Sequence, residues 1–286
     1  MRVPDIEFSG EPNRLSQEHH PWPAIDEVSR ATRRGGETGP AQRGPVQELN
    51  AIPRNVPPDR RLPAEAIIRG RRSAVEMDST TTLDRDSFYR TLERTLPTRF
   101  PFTSLPWPPR VSLAIFVHRV DDLEPGLYLL IRDVSHQVSL QESLKAEFEW
   151  QTPTGCPGGL HLHRLLTGDT RQTVKQISCH QDIAGDGAFS LGMLAEYGAT
   201  VETWGAGIYP RLFWETGLIG QVLYLEAEAA GIRGTGIGCF FDDLMHELLG
   251  IGDSSWQSLY HFTVGGPIED MRLKTIQPYD HKSSRW

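Results

Sequence analysis

The sequence is poor in the residues that staple, span or coat. Its three cysteines, Cys156, Cys179 and Cys239, lie far apart and form no CxxC pair. That spacing argues against a disulfide scaffold and a cysteine-rich zinc site, and favours a reducing, cytoplasmic setting. No stretch of about 20 apolar residues occurs, so no membrane span is expected. The opening MRVPDIEFSGEPNRL holds no apolar core, so no secretory signal is expected. Basic runs are missing and the formal net charge is -8. General nucleic-acid binding favours a basic stripe and is not expected, although a local basic site for one phosphate stays open. Metal motifs such as HExxH are also missing. His161 and His163 alternate on an expected strand and could chelate, but a zinc site needs three or four ligands, so no metal is expected.

What is present is enough chain for one large domain or two small ones: 286 residues. Residues 1–63 read as an arm or linker, with a short helix over 24–33 carrying Ile25 and Val28, then an irregular Gly/Pro-rich stretch. The compact domain is expected over 64–280, with 281–286 as a tail. AEAIIRGRRS fits a short helix carrying Ile67 and Ile68. A clearer helix follows Asp84, a fitting N-cap, with Phe88, Leu92 and Leu96 at four-residue spacing. VSLAIFVHRV (111–120) is apolar enough for a strand buried on both faces, and LYLLI returns as its hairpin partner. Residues 160–166 read as a third strand. SCHQDIAGDGAFSLGMLAEYGA reads as a helix rich in small residues, with Asp182 and Asp186 on one face for polar contacts or capping. YPRLFWETGLIGQVLYLEAEAAGI reads as a long helix, with only Glu215, Glu226 and Glu228 charged between Phe213 and Ile232, and so belongs in a core or an interface. FDDLMHELLGI is a short helix and SLYHFTVGGP a final strand. The order is α+β, without strict βαβ alternation.

RGTGIGCFFDD (233–243) has glycines at 234, 236 and 238. A dinucleotide loop needs G-x-G-x-x-G between a strand and a helix. Here the spacing is G-x-G-x-G, a helix precedes it, and IGCFF after it reads as a strand. Two readings remain. Gly231 or Gly234 ends the long helix in a left-handed conformation, or the glycines let backbone face a flat ligand. Asp242 and Asp243 are expected to cap a helix starting at Leu244. Trp107, Trp214, Phe240 and Phe241 are expected in the core.

Several ordered segments over about 64–280 resemble nitroreductase-like flavoproteins: IIRGRRSAVEMD, the long helix with GIRGTGIGCFFDDLMHELLGI, and SLYHFTVGGPIEDMRL. VSLAIFVHRVDDLEPGLYLL resembles the branch with azoline-oxidising dehydrogenases. The arm, with PNRLSQEHHPWPAI, looks like the inter-domain segment of tandem nitroreductase-domain proteins, which makes the chain similar to their C-terminal half. The resemblance implies a nitroreductase-like α+β fold, with a central mixed or antiparallel sheet flanked by helices. It also implies non-covalent FMN, a homodimer or a pairing with another nitroreductase-like domain, and two-electron chemistry with NAD(P)H as donor in ping-pong fashion. Arg71, Arg72 and Ser73 match the phosphate segment, where guanidinium forks and a hydroxyl suit a dianion. Arg272 and Lys274 match basic residues that complete it from the far end of the chain. Gly236, Ile237 and Gly238 match the segment along the isoalloxazine, where backbone N–H groups favour the charge that develops on reduction. Val75 stands where a basic residue is common, the acid some relatives carry before the ring-facing glycine is missing, and no Lys–Tyr pair of the azoline type can be placed. A missing catalytic side chain is not decisive where the flavin does the chemistry. Nitroaromatics, quinones and peptide azolines stay open as substrates, and a non-catalytic dimerisation or scaffold domain is the alternative.

Overall fold

A computed structural model describes residues 10–11, 18, 20–33, 62–276 and 278. The irregular arm stretch expected after residue 33 and the 281–286 tail lie outside these residues. In the arm, helix α1 (Pro23–Ala31) forms with Pro at its first turn, where the missing N–H costs nothing, and buries none of its residues.

Helix α2 (Ala64–Gly70) leads to a two-residue strand β1 (Glu76–Met77). Helix α3 (Arg85–Arg94) starts as expected: the Asp84 side chain accepts from the Ser87 backbone N–H, satisfying one of the orphan donors of the first turn. The hairpin β2 (Val111–Val117) and β3 (Gly126–Leu130) pairs Leu113 with Leu130 and Val117 with Gly126. Short helix α4 (Gln137–Ser143) precedes β4 (Leu162–Thr167), and helices α5 (Arg171–Ile177) and α6 (Ile183–Asp186) follow it.

The expected small-residue helix is a correction. Only Ile183–Asp186 and the last two residues, Gly198 and Ala199, are helical; Phe189–Glu196 is strand β5, paired with β2 on one side and β7 (Trp256–Gly265) on the other. Its small residues let neighbours close in: a Cβ on Gly192 would sit 2.9 Å from the Met245 methyl. Helices α7 (Gly198–Trp204), α8 (Tyr209–Ala229) and α9 (Asp242–Leu249), with strands β6 (Arg233–Ile237) and β8 (Pro267–Ile268), complete the fold. The main sheet runs β4-β3-β2-β5-β7-β6 and is antiparallel throughout; β1 and β8 form a second, two-stranded sheet.

Period-two alternation divides the core between the sheet's faces. Leu113, Ile115 and Val117 point to the side covered by Phe88 and Leu92 of α3 and Leu212, Ile219 and Leu223 of α8. Ala114 and Phe116 point to the other side, with Leu140, Val174, Met245 and Leu249. Under α8, Arg132 and Glu215 form a fully buried ion pair, side chains 0% exposed, with Nη1 to Oε1 at 2.5 Å. Arg132 also donates to the Thr95 and Val111 carbonyls, while Glu215 Oε2 accepts from the Arg110 backbone N–H. This satisfies the one acid on the most buried stretch of the helix.

The long helix ends through Gly231, whose φ is +77, while Gly234 sits inside β6. The strand expected at IGCFF is the glycine stretch itself. Helix α9 starts at Asp242, so Asp242 and Asp243 lie in its first turn rather than capping one that begins at Leu244; there they still favour the positive end of the helix dipole. Trp107 is buried as expected, whereas Trp214 and Phe241 are exposed and Phe240 is half-buried.

Candidate functional site

The site forms along the outer edge of β6. Helix α2 stops because Arg71 turns extended, with ψ 126. The chain then runs beside β6: Ser73 bridges Gly234 in parallel, Ala74 N–H donates to the Gly234 carbonyl at 3.2 Å, and Thr235 Oγ1 donates to the Ala74 carbonyl at 2.7 Å. Arg71, Arg72 and Ser73 are thereby brought beside Gly236, although 163 positions separate Ser73 from Gly236 in sequence.

Tyr224 of α8 joins the two segments. Its hydroxyl lies 2.9 Å from Ser73 Oγ and accepts the Gly236 N–H at 3.0 Å. The Arg71 guanidinium stacks over its ring, 4.8 Å from the centroid, a cation–π contact. Among the described residues no carboxylate pairs with Arg71 or Arg72. Sequence reasoning missed Tyr224; the available signal was a polar-tipped aromatic within an otherwise apolar helical run.

Arg72 turns back on its own helix end, donating to the Arg69 and Arg71 carbonyls at 2.9 and 2.8 Å, which suits a cation at a helix C-terminus. Its Nη2 also reaches the Ile276 carbonyl at 3.4 Å, so the segment carrying Arg272 and Lys274 returns to this region. Arg272 itself forms a fork with Asp270, 2.7 Å at the nearest pair, and Lys274 is exposed.

The glycines of β6 have a packing reason. A Cβ on Gly234 would lie 2.6 Å from the Phe262 ring, and one on Gly236 would fall on the Tyr260 hydroxyl; one on Gly238 would meet nothing within 4 Å. Phe262 and Tyr260 belong to the neighbouring strand β7. Two of the three alternating glycines therefore make room for aromatic rings, and only Gly238 faces open space. Gly236→Ala is expected to cost about 1–3 kcal/mol by overpacking. Gly238→Ala should stay within about 0.5 kcal/mol, the range of ordinary surface changes. Urea unfolding of the two variants side by side measures the difference. Beside the edge, Phe213, Gly217, Gly220, Tyr224 and Tyr260 line a groove of about 250 Å3, and Trp214 stands exposed next to it.

Beyond Gly238 the expectation of unpaired cysteines is overturned: Cys179 and Cys239 form a disulfide, with Cα atoms 5.9 Å apart. They are 60 positions apart in sequence, and the turn after α5 brings them together. Phe240 stacks on His261, centroids 4.2 Å apart and planes 11° from parallel. The His261 ring is buried and hydrogen-bonded at Nε2 to Ser258 Oγ, and burial lowers its pKa to about 3. Asp182 and Asp186 both meet Lys175 at 3.0 Å, the polar contact expected of them. His163 packs against Trp150, and among the described residues no cluster of three metal-ligating side chains occurs.

Residues 142–266 match the family model described as Nitroreductase family, a span that takes in α8, β6 and Cys239 but not Arg71–Ser73. Among solved structures the chain is similar to a nitroreductase-like protein from Anabaena variabilis, with TM-score 0.55 and 22% identity over 72% of this chain and 38% of that one. It is also similar to one from Ralstonia eutropha, with TM-score 0.51 and 15% identity over 78% of this chain and 89% of that one. The chain thus spans 38% of the length of the Anabaena protein. No curated protein matches it in sequence.

Proposed function

Starting from a nitroreductase-family domain over residues 142–266 in a nitroreductase-like fold, we propose that the protein is an FMN-dependent oxidoreductase. NAD(P)H is the proposed electron donor, and a nitroaromatic, a quinone or a peptide azoline the proposed acceptor class, handled in ping-pong order. The observation that carries this reading is the parallel bridge from Ser73 to Gly234, which joins a phosphate-type segment to a glycine edge strand.

The residues present fit the cofactor. Arg71 presents a guanidinium that no described carboxylate neutralises, and the backbone at Gly238 is open. Arg71 and Arg72 would hold the phosphate through charge-assisted forks, with Ser73 as a hydroxyl donor. Arg272 and Lys274 would add charge from the far end, Arg272 by exchanging Asp270 for phosphate. Gly236, Ile237 and Gly238 would line the ring, with Gly238 giving the close approach. Bound there, FMN supplies reversible two-electron hydride transfer. The chain's own part is to anchor the phosphate, to keep the ring edge against backbone donors and to limit water.

The exposed Phe213 and Trp214 on α8 suit a second copy or another nitroreductase-like domain closing over the groove. A non-catalytic scaffold is the second reading, favoured by one observation: the Tyr224 hydroxyl already engages both Ser73 Oγ and the Gly236 N–H. Flavin titration of Arg71→Ala separates the two. Loss of a charged hydrogen bond is worth about 1.5–3 kcal/mol, so FMN should bind roughly 10- to 150-fold more weakly with the circular dichroism unchanged. Equal FMN affinity in Arg71→Ala and the parent chain contradicts the proposed phosphate site, and no uptake by either leaves the scaffold reading standing.

A further inference from the structure

The disulfide has no part in the flavin reading, and its surroundings are not those of a buried staple. We propose that Cys179 and Cys239 form a redox-active thiol–disulfide exchange site whose co-substrates are external thiols, small or protein-borne. Access is the first reason: Cys239 is exposed and Cys179 half-buried, and exchange needs a thiolate to reach a sulfur. Backbone conformation is the second. Cys179 and its neighbour His180 both hold left-handed φ values, 53 and 59, a costly state for two adjacent non-glycine residues that persists only where surrounding contacts impose it.

The third reason is that the two segments stay together without the bridge. The Phe241 backbone N–H donates to the Ile177 carbonyl at 2.7 Å, and Gln181 Nε2 donates to the Cys239 carbonyl at 3.0 Å. Phe240, the residue after Cys239, is stacked on His261. The sulfurs therefore remain neighbours when reduced, ready to reclose. Cys156 offers an internal control, since burial pushes its thiol up to about 11, away from the thiolate that exchange needs.

An external thiolate attacks Cys239 Sγ, on the more exposed of the two residues. The S–S bond breaks, and Cys179 leaves as a thiolate that takes up a proton. A second external thiol attacks the mixed disulfide, releasing Cys239 as a thiol and the external pair as a disulfide. Two electrons pass from two external thiols to the protein pair, and the reverse sequence restores the bridge. Because Cys239 directly follows Gly238, opening also removes one covalent tether at the end of the segment proposed to line the ring. That consequence rests on the flavin reading, whereas the exchange does not.

The test equilibrates the purified chain with mixtures of reduced and oxidised glutathione. Maleimide labelling with mass counting reports thiols, circular dichroism reports folding, and FMN uptake is measured on the same sample. Two thiols beyond Cys156 should appear and disappear reversibly with the buffer ratio while the fold is unchanged. Cys179→Ser should accumulate a glutathione adduct on Cys239 at least ~10-fold faster than Cys239→Ser does on Cys179, following the exposure of the two residues. The proposal is overturned if the two thiols emerge only as the dichroism is lost, or if they are free from the start and oxidised glutathione does not pair them. Exchange without FMN uptake contradicts the flavin reading alone; FMN uptake without exchange contradicts this one alone.

Discussion

Glu215→Ala is expected to lower the stability of the folded protein by about 3–5 kcal/mol, the cost of leaving a buried charge without its partner. Among the described residues Arg132 pairs with no other acid: its side chain is fully buried, its guanidinium packs 4.7 Å from the Phe102 ring centroid, and its remaining hydrogen-bond acceptors are backbone carbonyls. Burial already pushes its pKa down and Glu215 holds it up. The Arg110 backbone N–H loses its acceptor in the same variant. Replacing both charges, Arg132→Met with Glu215→Leu, should recover much of the loss, because two well-packed apolar residues avoid the desolvation cost altogether. Urea unfolding of the single and double variants measures both effects. A Glu215→Ala loss below about 1 kcal/mol, the scale of an exposed pair, contradicts the burial of this pair.

Acid is expected to destabilise the fold well before the carboxylates titrate. Burial lowers His118 from 6.5 to about 4 and His261 from 6.5 to about 3, Arg119 adding to the effect at His118. Both rings are neutral in the folded state over a range where the unfolded chain protonates them. Their contribution is fully present above pH 6.5 and is lost as pH falls towards 4 and then 3, since the unfolded state binds more protons there. At roughly 1.4 kcal/mol for each tenfold change in the protonation equilibrium, the two together are worth on the order of several kcal/mol. His118→Gln and His261→Gln should each flatten the profile between pH 6.5 and 4, and His261→Gln alone its continuation below pH 4. The check is the unfolding midpoint in urea between pH 7 and pH 4. A midpoint that holds constant over that interval contradicts the burial of the two rings.

Much of the fold was legible from local patterns. Asp84 announced α3 because capping is a short-range event written into adjacent residues, and the run of Phe88, Leu92 and Leu96 did the rest. Helix α8 was legible because 21 residues with so little charge leave few alternatives. Strand β5 was not. A central strand buried on both faces shows no alternation, and its small residues Ser190, Gly192 and Ala195, of which Gly192 leaves room for Met245 and His261, resemble the composition of a tightly packed helix. The β6 glycines were legible as close approach but not as to what approaches. The rings that fill Gly234 and Gly236 come from β7, some 25 residues later, a pairing that only the sheet register supplies. The same holds for the disulfide, which the spacing of Cys179 and Cys239 argues against and which the turn after α5 creates. At the site, Arg71, Arg72 and Ser73 were named from a motif, whereas Tyr224 became visible only once its hydroxyl was found between Ser73 and Gly236.

The most direct measurement is the visible absorbance of the purified protein after incubation with excess FMN and removal of unbound flavin. The expected result is a yellow protein that retains about one FMN per chain, bleached anaerobically by NAD(P)H and recoloured by an electron acceptor. A colourless protein that takes up no flavin contradicts the proposed oxidoreductase function and leaves the nitroreductase-like fold as a scaffold.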